Sequence, residues 1–197
     1  MKIAMLGGTF NPVHIGHLAL ADAVHGLLGY DKVVLIPTCL PPHKEPARGA
    51  GDQDRLAMLE LAIADADFLT VDDCELVRGG ISYTIDTIQY LKKKYADSLE
   101  GKIGLVIGQD LISGFLDWKD AEELARITDI IIASRPEDVR IAAGKSFTFP
   151  YPYLPLENNI LPISSSAIRK DIRESKNWRY LVPVPVYRYI IEHKLYD

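Results

Sequence analysis

The stretch Ile3-Ala4-Met5-Leu6-Gly7-Gly8-Thr9-Phe10-Asn11-Pro12-Val13-His14-Ile15-Gly16-His17 decides the fold and most of the chemistry. Its first four residues are continuously apolar, as expected of a strand buried on both faces. Two glycines then end the strand. From His14 to Leu28 the apolar residues Ile15, Leu18, Ala21, Val24 and Leu28 recur at the spacing of one helix face. A buried strand, a glycine turn and a helix in immediate succession predict a parallel α/β unit. In such sheets ligands sit at the carboxyl ends of the strands, which here is the Gly7–His17 turn. Glycines let backbone N–H groups approach a phosphate closely, and a helix N-terminus carries about half a positive charge. His14 and His17, three residues apart, share a face and point to the same anion. Gly16 between them removes a side chain that would crowd its approach.

Outward from this unit the same alternation continues. Val33 to Ile36, Phe68 to Val71, Ile103 to Ile107 and Asp129 to Ala133 read as strands. Arg55 to Ala64 (with Asp52 as cap), Tyr83 to Tyr95, a short segment near Leu111, Ala121 to Ile127, Ser165 to Glu174 and Val184 to His193 read as helices. Leu40 to Gly51, with Pro41, Pro42 and Pro46, is a loop. Between Arg135 and Ile163 five prolines break any helix. The fold class is therefore α/β: a Rossmann-like doubly wound parallel sheet with C-terminal helices, read as a single domain over residues 1–197 with a core at 1–135 and a helical part at about 164–197.

Composition excludes several function classes. The 197 residues are 48% hydrophobic and 25% charged, ordinary for a globular domain. Lys plus Arg total 22 against 27 Asp plus Glu, a net charge of -5, which argues against bulk nucleic-acid binding and leaves small phosphate-bearing ligands open. Cys39 and Cys74 form no metal-spaced pair and are read as reduced thiols of a cytoplasmic protein. No apolar run approaches membrane-spanning length. Lys92-Lys93-Lys94 is a solvated face, and His25 and His193 are structural residues near helix ends. The run Phe147 to Pro155 is an edge strand or loop, where a homo-oligomer contact stays open.

Competing motifs fail. Gly144-Lys145-Ser146 lacks the glycine a Walker loop needs, because Val139 stands there. No dinucleotide fingerprint follows the first strand, no nucleophile elbow occurs, and the histidines lack zinc-helix spacing. No protein metal site is expected.

With these residues in view, Gly7 to His17 resembles the phosphate-binding signature of the adenylyl- and cytidylyl-transferase superfamily, whose hallmark is His-x-Gly-His. Further matches are Pro41-Pro42-His43-Lys44, Ser82-Tyr83-Thr84-Ile85-Asp86-Thr87, Gly108-Gln109-Asp110, Trp118, Ile163-Ser164-Ser165-Ser166-Ala167-Ile168-Arg169 and the tail Leu181 to Tyr196. This ordered set resembles the bacterial nicotinate mononucleotide adenylyltransferases over nearly the whole chain. Ser166 stands where that family more often has Thr, and the hydroxyl is kept.

The resemblance implies adenylyl transfer from ATP to nicotinate mononucleotide, by in-line attack of the mononucleotide phosphate, releasing pyrophosphate and forming nicotinate adenine dinucleotide. The attacking phosphate is mostly ionised at neutral pH, so no covalent nucleophile or strong base is needed. His14, His17 and Arg169 are the expected catalytic groups. His17 serves the α-phosphate, and Arg169 clamps the β- and γ-phosphates with Ser164 and Ser165. The backbone around Gly8 and Thr9 holds the reacting phosphates. Asp110 and the Gly108 backbone take the ATP ribose. His43 and Lys44 take the mononucleotide phosphate, Trp118 stacks on the pyridine ring, and Tyr83 and Thr84 meet its carboxylate. Mg²⁺ is carried by the ATP phosphates.

Plainer readings stand beside these: Asp110 as a helix cap, Trp118 as a packing aromatic, Arg169 and Lys44 as solvated charges, Tyr83 and Thr84 as a helix start. The rival functions are pantetheine-phosphate adenylyl transfer, with the same chemistry on another acceptor, and a non-catalytic nucleotide sensor.

Overall fold

The computed structural model describes residues 1–42, 49–133, 149–159 and 161–197. Along β1 (Ile3–Gly8) successive side chains point to opposite faces of a sheet covered on both. Leu6 enters one apolar layer and Met5 the other. The strands β2 (Lys32–Pro37), β3 (Leu69–Val71), β4 (Ile103–Gly108), β5 (Thr128–Ala133) and β6 (Leu154–Leu156) complete a six-stranded sheet in the order β3-β2-β1-β4-β5-β6. Every pairing is parallel. The winding reverses between β1 and β4, where Leu6 lies opposite Val106. Such a reversal opens a crevice at the carboxyl ends of the two strands.

Two helical layers cover the sheet. Residues of α1 (Ile15–Leu28), α2 (Asp52–Ile63), α6 (Ser165–Arg173) and α7 (Val184–Glu192) pack on the layer of Leu6 and Leu35. Residues of α3 (Cys74–Arg78), α4 (Thr84–Lys94) and α5 (Ala121–Ile127), with Phe115 of the 3-10 turn Gln109–Asp117, pack on the layer of Met5 and Ile36. The C-terminal helices thus share the core of α1 and α2. No helix among the described residues is long and apolar enough to cross a membrane.

The structure refines several expectations. Asp52 is the first residue of α2 and not its cap: Gly51 caps, and its N–H donates to the Asp54 carboxylate at 3.2 Å. Helix α3 was not expected, because five residues are too few to show a period. The proline-bearing strand β6 lies at the sheet edge, where a missing N–H does no harm. Lys94 does not belong wholly to a solvated face. Its Nζ reaches the buried Asp72 carboxylate at 2.7 Å. His25 and His193 are structural, each bonding a carbonyl and stacking on an aromatic ring, Phe68 and Tyr189 respectively.

Candidate active site

The Gly7–His17 turn is built around buried groups. Phe10, with φ of 47°, stands in the left-handed region uncommon for a side-chain-bearing residue, and its ring is fully buried. A β-carbon on Gly8 would lie a tight 3.1 Å from that ring, so the glycine gives the Phe10 ring room to pack. The carbonyl of Gly8 accepts the Thr38 N–H at 2.9 Å and ties the turn to the end of β2.

His14 is the N-cap of α1 and is buried. Its N–H donates to Nδ1 of His17 at 3.2 Å. A ring nitrogen that accepts an N–H carries no proton, so the neutral His17 ring holds its proton on Nε2 as a donor. The two imidazoles stack with centroids 3.7 Å apart, and the Phe10 ring meets His17 edge-on at 4.9 Å. Gly16 makes room for the protein's own ring, because a β-carbon there would lie 3.0 Å from Nδ1 of His14.

Helix α6 docks on the same turn. Ser165 Oγ donates to the Pro12 carbonyl at 2.8 Å, and Arg169 Nη1 donates to the Asn11 carbonyl at 2.6 Å. Ser164 caps the helix, accepting the Ala167 N–H at 3.2 Å. Half-burial lowers the Arg169 pKa from its ordinary value, but a guanidinium remains charged. The start of α6, with Ser164 and Ser165, and the Arg169 cation are therefore tied to the turn that carries His14 and His17. Such an arrangement suits an anion with several phosphate groups.

The other expected residues that the structure describes stand at the carboxyl end of the sheet on other elements. Gly108 ends β4 and precedes the 3-10 turn, with Asp110 exposed in its first turn. Tyr83 and Thr84 open α4, whose start is held to the end of β2. There Ser82 N–H donates to the Leu40 carbonyl at 2.9 Å, and Ser82 Oγ accepts the Cys39 N–H at 3.0 Å. Trp118 is half-buried, 5.2 Å from Phe115 centroid to centroid. His43 and Lys44 lie outside the described residues. Among the described residues no group of three His, Cys, Asp or Glu side chains is placed to hold a metal.

Sequence reasoning missed three contributors, Lys119, Glu75 and Arg55. Lys119 lies over the Tyr83 ring at 4.7 Å and pairs with Asp86 at 3.1 Å, drawing the Trp118 segment to the start of α4. Behind that start, buried Thr87 donates to buried Glu75 at 2.6 Å. Arg55, also buried, donates to the Thr9 carbonyl at 2.7 Å. One signal could have found it: Arg55 shares the helix face of Met58, Leu59 and Ala62, a charge on an apolar stripe.

Comparison with known proteins agrees with this geometry. Residues 5–171 match the cytidylyltransferase-like family, and the chain belongs to it. A Treponema pallidum (strain Nichols) protein named probable nicotinate-nucleotide adenylyltransferase is 43% identical over 202 residues, covering 100% of this chain and 99% of its own. The equally named protein of Borreliella afzelii is 42% identical over 196 residues, covering 100% and 97%. Within the family the chain therefore stands among the nicotinate-nucleotide adenylyltransferases. A solved structure of the Plasmodium falciparum nicotinic acid mononucleotide adenylyltransferase complexed with NaAD has a TM-score of 0.73 at 21% identity, covering 100% of this chain and 97% of that one. Its complex with APC gives 0.72 at 20% identity, again covering 100% and 97%. At those identities the likeness is one of fold.

Proposed function

We propose that the protein transfers the adenylyl group of ATP to nicotinate mononucleotide, forming nicotinate adenine dinucleotide and pyrophosphate. The observation that carries this reading is the His14 N–H bond to His17 Nδ1, which leaves an Nε2–H donor on the same turn to which Arg169 and the start of α6 are tied. The relatives' shared name at 42–43% identity over full length supports the choice of substrates.

The reaction is an in-line displacement at the α-phosphate, and catalysis rests on alignment and charge stabilisation. His17 Nε2–H meets the charge developing on the α-phosphate, and His14 orients His17 from behind. Backbone N–H groups near Gly8 and Thr9 hold the reacting phosphates. Arg169, with Ser164 and Ser165 at the helix start, holds the β- and γ-phosphates. The ATP phosphates would carry Mg²⁺, which would supply charge compensation when bound. Asp110 and the Gly108 backbone take the ribose. Lys44 and His43 take the mononucleotide phosphate.

On the opposite layer, the start of α4 at Tyr83 and Thr84 presents N–H groups that suit the pyridine carboxylate, and Trp118 stacks on the ring. A site of N–H donors favours a carboxylate over an amide.

The test is product analysis with ATP, Mg²⁺ and one acceptor at a time. Nicotinate mononucleotide is expected to be strongly preferred over nicotinamide mononucleotide and phosphopantetheine, with pyrophosphate released. Preference for another acceptor overturns the carboxylate pocket. ATP binding without turnover on any acceptor overturns the enzyme reading.

A further inference from the structure

Two guanidinia, from α2 and α6, hold the backbone of the glycine turn. Arg169 holds the carbonyl of Asn11 and Arg55 holds that of Thr9, so the two bonds flank Phe10 at its positive φ. Arg55 is only 3% exposed, and its Nη2 donates to the Asp52 carboxylate at 2.6 Å. Asp52 is half-exposed, so the ion pair reaches the surface only on its acidic side. The charges of Arg55, Arg169 and Asp54 all reach the hydroxyl of Tyr196, which is buried and has no hydrogen-bond partner among the described residues. The turn thus rests on a buried arginine, Arg55, and a half-buried one, Arg169.

Arg55 orients a peptide plane. In a planar trans peptide the C=O and the following N–H point in opposite directions. With the Thr9 carbonyl fixed on Arg55, the Phe10 N–H is turned away from Arg55 and the interior. Phe10 is also the residue whose ring meets His17. Burying an ion pair is weak evidence for a stabilising role, since apolar side chains of similar size often serve as well. Holding a residue at positive φ is a different task and needs a fixed partner.

We propose that Arg55 is a positioning residue for adenylyl transfer. It fixes the Thr9–Phe10 peptide so that the Phe10 N–H is presented beside His17 Nε2–H, and it lends positive charge from behind the turn without touching substrate. This rests on the adenylyl-transfer reading above.

The experiment compares wild type with Arg55→Met, Arg55→Lys and Asp52→Asn by steady-state kinetics, using variants whose thermal melting shows them folded at the assay temperature. Wild-type formation of the dinucleotide tests the reading itself, and its absence overturns both reading and proposal. Given wild-type turnover, Arg55→Met is expected to lower kcat about 10²-fold, as for loss of one transition-state donor, with the acceptor KM changed less than about threefold. Guanidinium ion at about 20 mM is expected to restore turnover about tenfold in Arg55→Met, while urea does nothing, because only guanidinium supplies both the donors and the charge. Arg55→Lys keeps the charge without the fork and is expected to fall between Met and wild type. Asp52→Asn, at a half-exposed position, keeps the falsification available should Arg55→Met not fold, and is expected to lose about three- to tenfold in kcat. Folded variants with kcat within about threefold of wild type, or with no response to guanidinium, overturn the proposal and leave the adenylyl-transfer reading standing.

Discussion

Nδ1 of His17 accepts the backbone N–H of His14 at 3.2 Å, so the helix N-terminus sets the tautomer of the imidazole it carries. His17→Ala removes the Nε2–H donor and is expected to lower kcat by about 10²–10³ while weakening ATP binding far less. Steady-state kinetics with calorimetric ATP titration checks this. Normal turnover in the variant would remove His17 from the chemistry.

Arg169 is tethered to the Asn11 carbonyl through one nitrogen, which leaves other guanidinium N–H groups for phosphate. Arg169→Lys keeps the charge but cannot both hold the carbonyl and fork onto phosphate oxygens. The KM for ATP is expected to rise and kcat to fall, each by about tenfold or more, with the acceptor KM little changed. Wild-type kinetics in this variant would show that Arg169 serves only to dock α6.

Two glycines separate function from stability. A β-carbon on Gly16 lies 3.0 Å from the His14 ring, whereas one on Gly104 lies 2.6 Å from the Tyr30 ring, remote from the turn. Gly16→Ala is expected to lose turnover more than stability. Gly104→Ala is expected to lose about 1–3 kcal/mol of stability through overpacking while keeping kcat. Urea denaturation and kinetics on both variants test the contrast, and the reverse pattern would refute it.

Changes at Thr84 and Trp118 are expected to alter the ratio of nicotinate to nicotinamide mononucleotide use more than ATP affinity. Both residues stand on the layer opposite α1 and α6. Competition assays with the two acceptors measure the ratio, and equal loss on both would remove these residues from acceptor recognition.

Burial raises the Glu75 carboxyl above its ordinary pKa, partly opposed by the Thr87 and Ser82 hydroxyls and Arg78. A raised folded-state pKa contributes stability fully present below the unfolded value of about 4.3 and lost as pH rises through the folded value. Glu75→Gln keeps an acceptor for Thr87 without titrating. Its stability relative to wild type is therefore expected to improve as pH rises from about 4 to 7. Urea denaturation across that range decides, and a constant difference would show that Glu75 does not titrate abnormally.

Much of this was legible because each signal was local. The apolar run Ile3–Leu6, the glycines after it and the helical spacing from Ile15 made strand, turn and helix readable in order. Parallel strands followed from the same alternation. Arg55 stood out only as a charge on an apolar stripe, and its partner was not legible, because that carbonyl lies 46 positions away. The Gly16 contact escaped because it depends on the His14 rotamer. Helix α3, at five residues, was too short for periodicity to register, and β6 was read only as an edge strand or loop.

The bonds from Ser165 to Pro12 and from Arg169 to Asn11 close the site across more than 150 residues. Contacts between the ends of a chain are the last to become available as it is made. A growing polypeptide can lay down β1 to β5 and the histidine turn while the clamp is still missing. The tie between α6 and the histidine turn thus forms only after residue 169 has emerged, and an unfinished copy carries the turn without its arginine tether.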